Sequence, residues 1–175
     1  MGGTHCSATD MIVANASNAP AAPIKWPVID FVPLIASDVR SRAALERRGV
    51  PADEIDVINP HGTSTPLGDK REAEAIWTVF GERSAAERRN LAITGTKSMT
   101  GHMMGAAGAF EAFATVMTVA EQCVPGTINY REFDPEADLW VVPETTQLPV
   151  RYALSNNIGL GGHNGAIIFK RYDGD

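Results

Sequence analysis

The longest apolar stretch of the chain runs from Met103 to Ala120 and holds a single charge, Glu111. A helix over this stretch is apolar nearly all round, so it is predicted to lie buried between two layers, with its Met and Phe residues in the core. It is too short and too interrupted to cross a membrane. Gly101, Gly105 and Gly108, which lack side chains, are expected to let another backbone approach closely. A chain of 175 residues can build one domain of that depth.

The flanking segments alternate in period. Residues 35–48 carry Val39, Ala43, Ala44 and Arg47 at helical spacing, and Gly49 with Pro51 stops that helix. Ile55 to Pro60 reads as a short buried strand ending at a proline. Ala73, Ile76, Trp77 and Phe80 recur at i, i+3, i+4 and i+7, with Asp69 as the expected cap and Gly81 as the stop. Leu91–Thr94, Leu139–Val142, Tyr152–Asn156 and Ala166–Lys170 read as strands. This order predicts a layered α/β domain over residues 34–175. Residues 1–33, with the irregular Ala-, Pro- and Asn-rich run after Asn15, read as a separate, poorly matching segment.

The net charge of −6 argues against a nucleic-acid partner. Two cysteines, Cys6 and Cys123, imply no disulfide framework and point to the reducing cytoplasm. The N-terminus, Met1-Gly-Gly-Thr-His5, has neither the basic nor the apolar region of a signal peptide.

Three glycine-rich loops each follow a predicted strand, where α/β folds place their sites. The first holds His61, Thr63 and Thr65, the second Lys97 and His102, the third the turn Gly159–Gly165. Two histidines and a lysine converging on one cleft would stabilise a developing oxyanion, which suggests acyl or carbonyl chemistry. Two other motifs fail. A phosphate-binding loop ending at Lys97 needs glycines where Thr96 and Leu91 stand, and a dinucleotide fingerprint from Gly159 needs one where Asn164 stands. No spacing of His61, His102 and His163 demands a metal.

His61-Gly-Thr-Ser-Thr-Pro-Leu-Gly-Asp69 resembles the HGTxTPxGD motif of β-ketoacyl-acyl-carrier-protein synthases. Thr96 to Glu111 resembles their TKSxxGHxxGAAGxxE motif, Val124 to Asn129 their VPPTIN segment, and Asn156 to Asn164 their NSFGFGGxN motif. The motifs come in the family's order and cover about residues 38–172. The resemblance implies the C-terminal half of a thiolase-like layered α/β fold, a mixed sheet with helices on its faces.

The resemblance also implies roles. His61 and His102 match the histidines that bind the malonyl thioester oxygen and stabilise the enolate. Lys97 matches the lysine that orders the site, and Glu111 its carboxylate partner. Thr63 and Thr65 match the threonines that bind the pantetheine arm, which enters on the carrier protein as substrate, so no resident cofactor is expected. Leu160 sits where a backbone N–H completes the oxyanion hole; here Ile158 and Leu160 replace the family's two phenylalanines. The family's nucleophilic cysteine lies far upstream of the HGT motif. Cys6 is only 55 residues before His61 and reads as an incidental thiol, Cys123 as packing, and His5 and His163 as structural.

Two functions follow from the resemblance. The chain is the C-terminal portion or split subunit of a condensing enzyme of fatty acid or polyketide synthesis, its nucleophile lying elsewhere. Alternatively it is a non-catalytic remnant or a partner like a chain-length factor. Either way an acyl carrier protein, an N-terminal half or partner chain and a dimeric assembly are expected.

Overall fold

The computed structural model describes residues 10–12, 32–81, 90–135 and 137–172. Strand β1 (Asp10–Ile12) is followed by helix α1 (Val32–Arg48), β2 (Val57–Asn59), α2 (Pro66–Phe80), β3 (Ala92–Ile93), a single turn α3 (Lys97–Thr100) and α4 (Ala107–Glu121). The strands β4 (Cys123–Val124), β5 (Thr146–Gln147), β6 (Tyr152–Ile158) and β7 (Asn164–Lys170) complete the chain. Five strands form one mixed sheet in the order β1-β7-β6-β2-β3. β2 runs parallel to β3 and β6, while β7 is antiparallel to β6 and β1.

Strand alternation divides the core in two. Ile58, Leu154 and Ile168 are register partners and face α1 and α2, packing on Ala44, Leu45, Ala73, Ile76 and Phe80. Val57, Ala153 and Phe169, one residue earlier in register on β2 and β6, face the other way onto Val119 of α4 and onto Val124, Val142 and Val150. Each such side chain contributes about 1.5–3 kcal/mol by leaving water. A sheet buried on both faces explains why β2 opens on Val57-Ile58 and β6 on Tyr152-Ala-Leu154 without alternating polar residues.

Several expectations need correction. α1 buries Ser41, Ala44 and Leu45, while Val39 and Arg47 are exposed, so its inner stripe is rotated from the predicted one. Residues 139–142 form no strand; Val141 makes an isolated parallel bridge to Ile93. The short β4–β5 ladder was not foreseen, having too few residues for a period. Asp69 is not the cap of α2, which starts at Pro66 behind Thr65; it lies one turn inside.

The largest correction concerns the apolar helix. α4 buries Ala107, Glu111, Thr115, Thr118 and Val119 against the sheet, whereas Phe110, Phe113 (65% exposed) and Met117 face outward. Met103 and Met104 are exposed as well. Among the described residues, one layer and not two covers this helix. Nor, among the described residues, do backbones meet the glycines of this segment: a Cβ on Gly101 or Gly105 would meet nothing within 4 Å, and Gly108 faces the Asn157 side chain.

Candidate active site

The site is built from the ends of β2, β3 and β6. β2 delivers His61 through the buried pair Asn59-Pro60. The turn after it passes through positive φ at Gly62 (39°) and at Ser64 (61°). Glu72 holds this turn. One carboxylate oxygen accepts the His61 backbone N–H at 2.7 Å and the other accepts that of Gly62 at 2.8 Å. Asn156 Nδ2, from β6, donates to the same carboxylate at 3.0 Å. Glu72 is buried, and that burial raises its pKa, although these three donors pull it down. The Asp69 carboxylate likewise accepts backbone N–H groups of Thr63, Ser64 and Thr65, and burial raises its pKa too. The hydroxyls of Thr63 and Thr65 lie 3.4 Å apart on the rim. Gly68 leaves room beside them: a Cβ there would come within 2.2 Å of Thr65 Oγ1 and displace that hydroxyl.

β3 delivers Lys97. Its turn is fastened to the 124–129 segment: Thr94 Oγ1 donates to the Pro125 carbonyl at 2.6 Å, and the Gly95 N–H donates to Thr127 Oγ1 at 2.9 Å. The Lys97 ammonium forms an ion pair with Glu111 of α4, both side chains buried (6% and 2% exposed). A charge this deep needs its counter-ion, which accounts for the buried carboxylate on the inner side of this helix; the other, Glu121, is exposed at its end.

His102 follows at the exposed mouth. Met104, at a left-handed φ of 50°, turns its backbone N–H onto His102 Nδ1 at 3.0 Å. Nδ1 therefore accepts, and the neutral ring carries its proton on Nε2. The rings of His61 and His102 meet edge to face, their centroids 5.5 Å apart and planes at 86°. His61 has its pKa lowered to about 4, first by burial and then by electrostatic repulsion from Lys97 and His102, against a raising hydrogen bond that its ring donates to the Asn157 side chain. His61 thus presents a neutral N–H donor at pH 7 rather than a proton to transfer.

Of the residues expected from sequence, His61, Lys97 and His102 gather here, with Glu111 beneath and Thr63 and Thr65 at the rim. Leu160 is 95% exposed, on a turn closed by the Gly159 N–H donating to the His163 carbonyl at 2.8 Å. Cys123 is half-buried on the wall of an apolar cavity of about 440 Å³ with Phe110, Phe113 and Met117, rather than in the core. Cys6 and His5 lie outside the described residues. No cluster of three or more His, Cys, Asp or Glu side chains suited to a metal occurs among the described residues. Nor, among them, is any helix long and apolar enough to cross a membrane. Sequence reasoning missed Glu72, Asn59 and Asn157. Glu72 was findable, because an acid beside Ala73 on the inner stripe of α2 raises the same question as Glu111.

A mixed sheet carrying two opposed histidines and a buried lysine–glutamate pair at its strand ends defines a thiolase-like α/β domain. Residues 36–131 match the model of the β-ketoacyl synthase C-terminal domain. The 3-oxoacyl-[acyl-carrier-protein] synthase 2 of Staphylococcus aureus (strain COL) is 41% identical over 133 residues, covering 75% of this chain and 31% of the relative. The Synechocystis enzyme of the same name is 47% identical over 130 residues, 74% of this chain and 30% of the relative. A β-ketoacyl synthase from Burkholderia phymatum STM815 superposes with a TM-score of 0.72 at 30% identity, over 94% of this chain and 38% of that one. A type II polyketide ketosynthase bound to a hexaketide, solved with its acyl-carrier protein, does so at 0.74 and 28% identity, over 96% and 38%. The chain belongs to the β-ketoacyl synthase family. It spans about a third of the length of the curated relatives it matches.

Proposed function

We propose that this chain supplies the decarboxylating half of a β-ketoacyl-acyl-carrier-protein synthase. The observation that carries the reading is the edge-to-face pair of His61 and His102 beside the buried Lys97–Glu111 pair. A malonyl thioester, brought on the phosphopantetheine arm of an acyl carrier protein past Thr63 and Thr65, places its thioester oxygen between the two histidines. The C–C bond to the carboxylate breaks and carbon dioxide leaves with neither ring giving up a proton. The electron pair moves onto the thioester oxygen, where N–H donors hold the enolate; such preorganised donors typically supply about 2.7–4 kcal/mol each. The enolate carbon then attacks an acyl thioester on a cysteine outside the described residues, and the thiolate leaves. The Leu160 N–H serves the oxyanion of that second step, and Lys97 with Glu111 orders the histidines. No resident cofactor takes part.

A specific observation favours a partner layer. Phe110, Phe113 and Met117 form an apolar outer face on α4, beside the apolar cavity and bordered by the exposed Glu121 at the end of the helix. An N-terminal ketosynthase half, on this or another chain and within a dimeric assembly, would cover it and bring the nucleophile. The competing reading, a non-catalytic partner like a chain-length factor, needs the same face but not the histidines. The test mixes the chain with a ketosynthase N-terminal half bearing the cysteine, then measures carbon dioxide release and β-ketoacyl product from malonyl- and acyl-carrier protein. Product that disappears in His61→Ala and His102→Ala supports catalysis. A well-folded complex with no product supports the non-catalytic reading. An acyl adduct on Cys6 of the chain alone would overturn the split arrangement.

A further inference from the structure

Asn59 is the last residue of β2, two before His61, and it is buried. By alternation it shares the sheet face of Val57, toward α4. A residue of apolar character would suffice there for packing, and a primary amide costs stability unless its polar arms are met. They are met by the two elements that carry the ion pair. Thr96 Oγ1, immediately before Lys97, donates to Asn59 Oδ1 at 3.1 Å and lies 3.0 Å from its Nδ2. Nδ2 also reaches Thr115 Oγ1 and the Glu111 carbonyl on α4, each at 3.3 Å. Thr115 Oγ1 in turn donates to the Glu111 carbonyl at 2.7 Å. One side chain therefore links the strand that ends at His61, the turn that presents Lys97 and the helical turn that presents Glu111.

We propose that Asn59 is a positioning residue which sets the Lys97–Glu111 pair in place relative to His61. The ion pair alone fixes the distance between its two ends, but a four-carbon stem leaves Lys97 free to follow its turn. The Thr96–Asn59 link removes that freedom by tying the turn to β2. Without it the Lys97 turn opens locally to water while the sheet, held by both cores, stays folded. The inference rests on the reading of these residues as one site, yet its test does not use activity.

The experiment is timed labelling of the chain with an amine-reactive acylating reagent at neutral pH, with Lys97 read by peptide mass spectrometry. In Asn59→Ala and in Thr96→Val, Lys97 is expected to react about tenfold faster or more than in the unaltered chain. The double variant should react no faster than the quicker single one, because both cut the same link. Thr96→Ser, which keeps the hydroxyl, should restore protection. Ile168→Ala, a destabilising change on the other face of the sheet, should leave Lys97 protected. Wild-type rates in both Asn59→Ala and Thr96→Val would overturn the proposal, as would equal labelling in Ile168→Ala. If Asn59→Ala does not fold, the Thr96→Val and Thr96→Ser pair decides alone. A chain that forms a well-folded complex with a ketosynthase N-terminal half but yields no product, while showing this labelling pattern, would refute the function and leave the positioning role standing.

Discussion

Removing the Glu72 carboxylate should unfasten the turn that presents His61. It accepts N–H groups from His61 and Gly62 at 2.7 and 2.8 Å and from Asn156 at 3.0 Å. Hydrogen bonds to a charged partner contribute about 1.5–3 kcal/mol each, and a buried donor left without its acceptor costs about 1–3 kcal/mol. Against this stands the cost of holding the carboxylate out of water, the same cost that raises its pKa. Glu72→Ala strips two backbone donors of their acceptor at once and should cost about 3–5 kcal/mol. Glu72→Gln keeps one oxygen but turns an NH₂ group toward a donor, so it should cost about 1–3 kcal/mol. The assay is urea unfolding followed by the fluorescence of the three tryptophans, with the slope compared between variants to confirm a two-state loss. Hydrogen exchange at the His61 and Gly62 amides reads the turn directly, and these should become the most accelerated amides of the sheet end. A Glu72→Ala chain within about 0.5 kcal/mol of the parent, with those amides still protected, would refute the reasoning.

Three further outcomes are expected. Lys97→Met or Glu111→Gln alone should each cost about 3–5 kcal/mol by breaking a buried pair, while Lys97→Met with Glu111→Leu should recover most of the loss in a double-mutant cycle of unfolding free energies. His61 should titrate near pH 4 by imidazole NMR; because its folded pKa is depressed below 6.5, its contribution is intact above that pH and falls as pH drops toward 4, so the stability gap between the parent and His61→Gln should narrow between pH 7 and 5. Phe113→Ser should change unfolding of the isolated chain by less than about 0.5 kcal/mol, since 65% of the residue is exposed, yet it should weaken capture of a ketosynthase N-terminal half at least tenfold in a binding titration.

Much of this was legible in the sequence because strands and loops punctuate themselves. The prolines and glycines around β2 and α2 mark their ends within a residue or two. The motifs at His61, Lys97 and Asn156 announce a site by their residue types, and the lone Glu111 in an apolar run announces its partner. What was not legible depends on neighbours far along the chain. Val39 lost its place on the inner stripe of α1 because the sheet dictates which side of the helix is covered. Val141 looks like strand interior by composition, yet among the described residues its pairing is a single isolated bridge to Ile93. Asn59 looks like an ordinary polar end to a strand until Thr96 and Thr115 are brought beside it.

The two sides of α4 differ in size more than in polarity. Alanine, threonine, valine and one carboxylate settle against the sheet, and phenylalanine and methionine are left at the surface. A hydropathy plot cannot orient such a helix, and a routine effort to make the protein more soluble would begin by replacing Phe110, Phe113 and Met117. That effort would give a better-behaved sample and erase the proposed docking face in the same step. Aggregation of the unaltered chain at high concentration should therefore be treated with a companion polypeptide or mild detergent rather than with polar substitutions on this helix.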